Sequence, residues 1–480
     1  MPAALILVAL AAALSPESHA DQTPQPVASA RSAATADEVG RAVSELARKI
    51  EKLGGTLSAS VVAVDSGAIL GEHNSHEPLN PASNAKLLTA GLVLEQLGPE
   101  HRFVAGLTGE LKEGRVEELT LRGNWDPSLD AAALRGLVRQ LRVRGVESVN
   151  HVLVDQGRFS GSFTPPAFEQ QPGEWAPFRA PVAPTSYERN TVTVWVTPGR
   201  EPKDVAKLNV DPLGFLELSG SVKTSSDSES EKIGLTLTPG STLKAKLGGS
   251  IPVGSGPVPA IRRVEDPSLL AGHALRALLE EQGITVKGEV RPGTKARQSL
   301  LASRPSPSVA ELLARLGKDS DNFTAEMLFL AAGASSSGET SFGQAQSSAL
   351  AHAKLRGVPD GEWLVQNGSG LFQANKASAN AITTLLRNEA RSSRTGPEYV
   401  AHLAVGGVDG TLKKRLKPLA TSRTVRAKTG TLAASVALSG YVLGSDGQPL
   451  FAFSFITGSV KGKTGQARDA IDDAVLALAR

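Results

Sequence analysis

No cysteine occurs in the 480 residues. This excludes a disulfide scaffold, zinc–thiolate centres, iron–sulfur clusters and a cysteine nucleophile. It also excludes a lipid attached through an N-terminal cysteine. Aromatic residues make up 4% of the chain, and no dense Lys/Arg stripe interleaves with them, so nucleic-acid binding is not expected. Charge of one sign is scarce: 51 Lys and Arg face 48 Asp and Glu, a formal net charge of +3. The 48 Gly and 29 Pro show no G-X-Y period, which excludes a collagen-like chain. Long apolar runs are also absent. The longest, Ala3–Leu14, falls short of the roughly 20 residues of a membrane span. What is present is 40% apolar and 21% charged residues, enough for packed cores and too apolar for disorder throughout. The length suggests roughly three domains.

The run Ala3–Leu14 followed by Ser18-His19-Ala20 reads as a signal peptide over residues 1–20, although no Lys or Arg precedes it. An exported, periplasmic or extracytoplasmic protein without a transmembrane anchor is expected. Residues 21–37, rich in Ala, Ser, Thr, Pro and Gln, read as a flexible leader. From Glu38 a helical period runs through Val39, Ala42, Val43, Leu46, Ile50 and Leu53 to Gly54-Gly55. Leu57–Val64 reads as a strand. Asn80-Pro81 opens a further helix, which Gly98-Pro99 closes. The C-terminal end mirrors this, with strands at Ala434–Leu443 and Pro449–Ile456 and an amphipathic helix at Gln466–Ala479. Such ends suit one antiparallel sheet covered by helices, an α+β domain interrupted by a mostly β middle. One helix in the middle starts at Asp266-Pro267 and ends at Gly283.

One combination of motifs carries a mechanism: S-x-x-K, then S-x-N, then K-T-G. Each occurs more than once, so physical context has to choose. Ser83 and Lys86 fall in the first turn of the helix opened by Asn80-Pro81, where i and i+3 are neighbours. Ser241 and Lys244 fall in an alternating, strand-like run, where i and i+3 point to opposite faces. Ser320-Asp321-Asn322 precedes the run Phe323, Met327, Leu328, Leu330, placing two polar side chains at a helix entrance. Ser148–Asn150 precedes a strand. Ser378–Asn380 also precedes a helix, and context alone leaves it open. Lys428-Thr429-Gly430-Thr431 continues a strand-like run, so Lys428 and Gly430 share one face and Thr429 and Thr431 the other. Gly430 is expected to leave room for a substrate beside the backbone. Lys463 lies in a turn before the last helix.

The set Ser83-x-x-Lys86, Ser320-x-Asn322 and Lys428-Thr429-Gly430 resembles penicillin-binding serine acyl-enzymes. Further stretches narrow it: "DPSL" from Asp126, "SDNFTAEML" from Ser320, "NGSGL" from Asn367, "GVDGTLKKRL" from Gly407 and "AKTGTL" from Ala427. Together they look like the D-alanyl-D-alanine carboxypeptidase/endopeptidase family that includes penicillin-binding protein 4. The resemblance implies a transpeptidase/β-lactamase-like catalytic domain over 38–100 and 301–480. It implies two inserted domains, one over 101–128 and 205–300 and one over 129–204. Its substrates would be peptidoglycan stem peptides, with β-lactam antibiotics as covalent inhibitors, and no metal or cofactor is needed.

The mechanism so implied is acyl transfer. Lys86, made neutral by partial burial and by cationic Lys428, takes the proton of Ser83, which attacks the D-Ala-D-Ala carbonyl. The N–H groups of Ser83 and Thr431 hold the oxyanion. Ser320 relays a proton to the leaving D-Ala. Asn322 holds the acyl-side amide, and Lys428 and Thr429, with Thr431, bind the terminal carboxylate. Two departures stand out. The family follows Gly-Ser-Gly-Leu with Ser-Arg, where this chain has Phe372-Gln373, and Asn367 replaces a usual Asp. Asp155 is either the acid that meets the amine of the stem peptide's diamino acid or an ordinary strand-end Asp. Another serine acyl-enzyme, such as an esterase or a β-lactamase-like hydrolase, and a non-catalytic peptidoglycan-binding protein are the competing readings. A class A β-lactamase has far less chain between these motifs, and no Glu-x-x-Leu-Asn follows Asn322.

Overall fold

The computed structural model describes residues 34–479, except 213, 239–242, 295–297 and 335–337. The expected signal peptide, most of the leader and Ser241 lie outside the described residues. The first helix, Ala36–Lys52, begins two residues before the expected Glu38, because Thr35 and Glu38 close a capping box. Its buried side chains, Val39, Ala42, Val43, Leu46 and Ile50, are those the period selects. Gly54, at φ 73°, follows its end.

Six strands form one sheet in the order Ile69–His73, Thr56–Ala63, Pro449–Gly458, Ser435–Leu443, Val425–Leu432, Ala404–Val405. All neighbours are antiparallel. Both faces are covered, as the unbroken burial of Ser435–Leu443 requires. Val436 and Leu438 point to the face packed by the first helix and the last, Thr464–Leu478. Ala437 and Tyr441 point to the other face, where helix Ala379–Ala390 packs on the sheet and helices Lys86–Leu97, Val309–Gly317 and Asn322–Ala332 continue the same core behind it. Helix Lys86–Leu97 is buried on every side from Lys86 to Leu94, the behaviour of a helix apolar all round.

The chain leaves this α+β unit after the Lys86–Leu97 helix and returns near Ser306. There Phe103 and Ser306 exchange hydrogen bonds, Ser306 N–H to Phe103 O at 2.8 Å and Phe103 N–H to Ser306 Oγ at 3.0 Å. Between them lie a seven-stranded, a four-stranded and a three-stranded sheet. The expected helix at Asp266-Pro267 spans Pro267–Glu281, with Asp266 capping the N–H groups of Ser268 and Leu269. The boundaries expected within the insert do not follow the sheets. Arg115–Arg122 pairs in parallel with Ser148–Asp155, across 128/129. Thr191–Thr197 pairs with Lys207–Asp211, across 204/205. One apolar core, drawn from residues 105–302, serves both expected parts.

One stretch of the insert reaches back to the α+β unit. Ala180 and Val182 belong to the core beneath the Lys86–Leu97 helix. Phe168 meets Phe372 edge to face at 5.9 Å. Arg189 is ion-paired with Asp321.

Candidate active site

Asn80-Pro81 leads into a 3-10 turn, Ala82–Ala85, which runs directly into helix Lys86–Leu97. Asn80 Oδ1 accepts the Ala82 N–H at 2.9 Å. Ala82 adopts φ 48°, a costly conformation for alanine that the packing around it enforces. Every residue of 81–94 is buried except Ser83, so the turn presents one hydroxyl to the open side.

Lys86 has no exposed surface. Its Nζ lies 3.1 Å from Ser83 Oγ, 2.8 Å from Asn322 Oδ1 and 2.7 Å from Ser369 O. Burial lowers its pKa to about 7, against the opposing pull of Glu326 and Asp321. The cause differs from the expectation in two ways. Burial is complete rather than partial, and the neighbouring charges that act on Lys86 are carboxylates. The repulsion between the two lysines is seen at Lys428, which burial and then Lys86 hold well below the usual lysine range.

Asp321, not Ser320, caps helix Asn322–Ala332, accepting from Thr324 N–H. Ser320 sits just outside at φ 59°. Lys428 Nζ donates to Ser320 Oγ and to Thr429 O, both at 2.8 Å. Two serine–lysine pairs therefore form, and Asn322, which accepts from Lys86, also donates from Nδ2 to Phe178 O at 3.2 Å. The exposed ring of Phe178 comes from the insert.

Lys428–Thr431 lies in strand Val425–Leu432, which pairs with Ala404–Val405 only at Ala427 and Arg426. Past that point one edge of the strand has no neighbouring strand among the described residues. Thr431 is exposed, and Thr429 Oγ1 donates to Thr411 Oγ1 at 2.8 Å. The room that Gly430 was expected to leave for a substrate is filled, on its side-chain side, by the protein itself. A Cβ there would stand 2.6 Å from Pro81 O and 3.1 Å from Ala82 Cβ. The missing side chain lets the strand press against the turn that carries Ser83.

Asp155 is not brought to this cluster by any contact among the described residues. Arg122 Nε lies 3.2 Å from one carboxylate oxygen, and Gly157 N–H donates to the other at 2.7 Å. Both contacts lie at the end of strand Ser148–Asp155. Gln373 is exposed, and Asn80 Nδ2 donates to its Oε1 at 3.1 Å, which sets it beside the turn that carries Ser83. The alternative motifs fall elsewhere. Lys463 Nζ, at the start of the last helix, donates to Leu53 O at 2.8 Å. Ser378 caps helix Ala379–Ala390. Asn150 donates to Glu117 at 2.7 Å in the insert.

Sequence reasoning missed Ser369, Phe178, Thr411 and Glu326. A carbonyl acceptor such as Ser369 O leaves no trace in residue type, and Phe178 is far from the motifs in the chain. Glu326 did leave a signal. It is the one ionisable residue in an otherwise uncharged helix, one turn after Asn322.

Comparison with known proteins agrees with this arrangement. The model of the D-Ala-D-Ala carboxypeptidase 3 (S13) family matches residues 39–479. A D-alanyl-D-alanine carboxypeptidase of an Actinomadura species is 31% identical over 92% of this chain and 86% of its own length. D-alanyl-D-alanine carboxypeptidase DacB of Haemophilus influenzae is 24% identical over 88% of this chain and 91% of its own. The crystal structure of penicillin-binding protein 4 from the same organism covers 90% of this chain and 98% of its own, with a TM-score of 0.76 at 22% identity. A predatory peptidoglycan endopeptidase from Bdellovibrio bacteriovorus shares the fold at a TM-score of 0.52 and 15% identity, over 88% of this chain and 92% of its own. With nearly the whole described chain matched, the protein belongs to the D-Ala-D-Ala carboxypeptidase 3 (S13) family.

Proposed function

We propose that the protein is a serine D-Ala-D-Ala carboxypeptidase that cleaves peptidoglycan stem peptides through an acyl-enzyme on Ser83, acts on cross-links as an endopeptidase, and is trapped by penicillins. The observation that carries this reading is the surroundings of Lys86 Nζ. A neutral amine has two hydrogens and one lone pair. Asn322 Oδ1 and Ser369 O only accept, and together they take both hydrogens. The lone pair is left for the hydroxyl of Ser83, 3.1 Å away. Burial keeps the amine neutral from about pH 7 upward.

In this reading Lys86 takes the proton as Ser83 attacks the penultimate carbonyl. The N–H groups of Ser83 and Thr431 receive the oxyanion. Ser320, held by Lys428, passes a proton to the departing D-Ala nitrogen. The acyl-side amide replaces Phe178 O at Asn322. Lys428, with Thr429 and Thr431, receives the terminal carboxylate, and that negative charge favours the ammonium form of Lys428 on binding. Water then cleaves the ester. The free edge of strand Val425–Leu432 supports pairing with an extended peptide. Peptidoglycan as substrate fits an exported protein working in the periplasm or another extracytoplasmic space.

The test is labelling with a fluorescent penicillin, together with release of D-Ala from stem peptides. Wild type labels, and Ser83→Ala does not. Lys428→Ala labels weakly, and Lys463→Ala labels like wild type. Labelling that persists in Ser83→Ala rejects the nucleophile. The acylation rate should rise with pH through about 7 and then level off, because the base must be unprotonated.

A further inference from the structure

Helix Asn322–Ala332 is fully buried from Phe323 onward, and Glu326 has no exposed surface. A carboxyl group in such a place needs strong partners. Its partners are two successive backbone N–H groups, Gly368 to Oε2 at 3.0 Å and Ser369 to Oε1 at 2.7 Å. The same loop is pinned from the other side, where Thr89 Oγ1 donates to Gly368 O at 2.7 Å. It is also pressed onto the helix. A Cβ on Gly368 would lie 2.5 Å from Phe329 Cβ and 3.1 Å from Ala325 O. The residue so clamped, Ser369, supplies the carbonyl that takes one hydrogen of Lys86. Asn322, one helical turn before Glu326, supplies the other acceptor.

Thus a single helix sets both acceptors of the lysine, one directly and one through the loop. The charged groups acting at the lysine are few. Glu326 and Asp321 come from this helix and its cap, and Asp321 is paired with Arg189 from the insert. Lys428, from the sheet, is the group on which the charge of Lys86 acts in turn.

We propose that Glu326 is a positioning residue for acylation: its carboxylate, by clamping the Gly368 and Ser369 N–H groups, holds the Ser369 carbonyl against Lys86 Nζ. The inference rests on the reading of Ser83 and Lys86 as nucleophile and base. Burial alone would depress the lysine further, and Glu326 is the largest influence opposing it; burial raises the Glu326 pKa in turn, while the Ser369 and Gly368 hydrogen bonds and Lys86 pull it down toward the carboxylate. The balance places the base in the neutral range.

The experiment is the pH dependence of penicillin acylation in the full-length protein, for wild type, Glu326→Gln and Glu326→Asp, with thermal unfolding to establish that each variant folds. Glu326→Gln removes the charge and turns an amide donor toward one of the two N–H groups. Its acid-limb midpoint should fall by about one pH unit, and its plateau rate by about tenfold. A role in packing alone would lower the rate and leave the midpoint where it is, and that result overturns the inference. Should Glu326→Gln not fold, Glu326→Asp decides. Its charge sits one methylene farther from the clamp, so the midpoint falls by less and the plateau still drops, whereas wild-type values of both overturn the inference. Wild type that is not acylated, or Ser83→Ala that is, rejects the underlying reading and the inference with it.

Discussion

At Gly430 the strand backbone touches the turn of Ser83 so closely that a methyl group would stand 2.6 Å from Pro81 O. That distance is inside any normal contact, and the obstacle is backbone, which cannot swing away. Gly430→Ala should therefore separate strand and turn, shifting Ser83 relative to the N–H of Thr431. Overpacking of this kind costs about 1–3 kcal/mol. A displacement near 1 Å at a reacting group can cost about 10²-fold in rate. The expected outcome is a modestly lowered melting temperature and a penicillin acylation rate reduced about 10²-fold. Acylation at the wild-type rate would mean that the glycine serves something other than this contact. Gln373 is the second residue with a consequence at this scale. It lies beside Asn80, at the position where the family resemblance puts an arginine. A charge-assisted hydrogen bond is worth about 1.5–3 kcal/mol net and a neutral one about 0.5–1.5. Gln373→Arg should raise several-fold the preference for stem peptides carrying a free side-chain carboxylate, measured on matched peptides with and without amidation. A strong wild-type preference that the substitution leaves unchanged would point to another cation, and exposed Lys376 is the nearest in sequence.

Elements that carry their own signal were legible from sequence. The first helix shows an apolar period and a capping box, and Pro267–Glu281 shows Asp-Pro at its start. The S-x-x-K turn could be chosen over its competitors because i and i+3 meet on a helix and not on a strand, and Lys86 does lie 3.1 Å from Ser83 Oγ. What sequence did not disclose were relations between distant elements. The parallel pairing of Arg115–Arg122 with Ser148–Asp155 joins strands separated by a helix, and alternation within a strand says nothing about its neighbour. The same holds for the insert segment that carries Phe178 and Arg189 to the site. Its composition is that of a loop, and only the fold places it beside Asn322 and Asp321. That contact has a measurable consequence. Asp321 caps helix Asn322–Ala332 and pairs with Arg189. Arg189 is itself half-exposed, so the pair contributes little to stability, of the order of 0–1 kcal/mol. Its effect should be felt in the placement of Asn322 instead. Arg189→Ala is expected to leave the melting temperature nearly unchanged while slowing acylation several-fold. Equal rates in the two proteins would show that the cap holds its geometry without the insert.

Across the whole molecule, the chain ends and the middle have opposite dependence on one another. Strand Thr56–Ala63 lies between Ile69–His73 and Pro449–Gly458, and the first helix shares its core with the last. The catalytic sheet thus cannot close until the C-terminal residues are in place. The insert is different. Its core is drawn wholly from residues 105–302, and its two ends meet where Phe103 and Ser306 exchange hydrogen bonds. We propose that 101–305 is one folding unit. Removing residues 464–480 would uncover the cavity filled by Ala467, Ile471, Val475 and Leu478, all buried. Each of the three larger side chains contributes about 1.5–3 kcal/mol. Their sum is comparable to the total stability of a domain, about 5–15 kcal/mol. The truncated protein should therefore lose penicillin binding altogether. The insert within it should still unfold as a cooperative unit, as should residues 101–305 produced alone. Circular dichroism melts of the full chain, the truncation and the excised insert would check this. A single transition lost entirely on truncation, with an unstructured excised insert, would mean that the two cores fold only together.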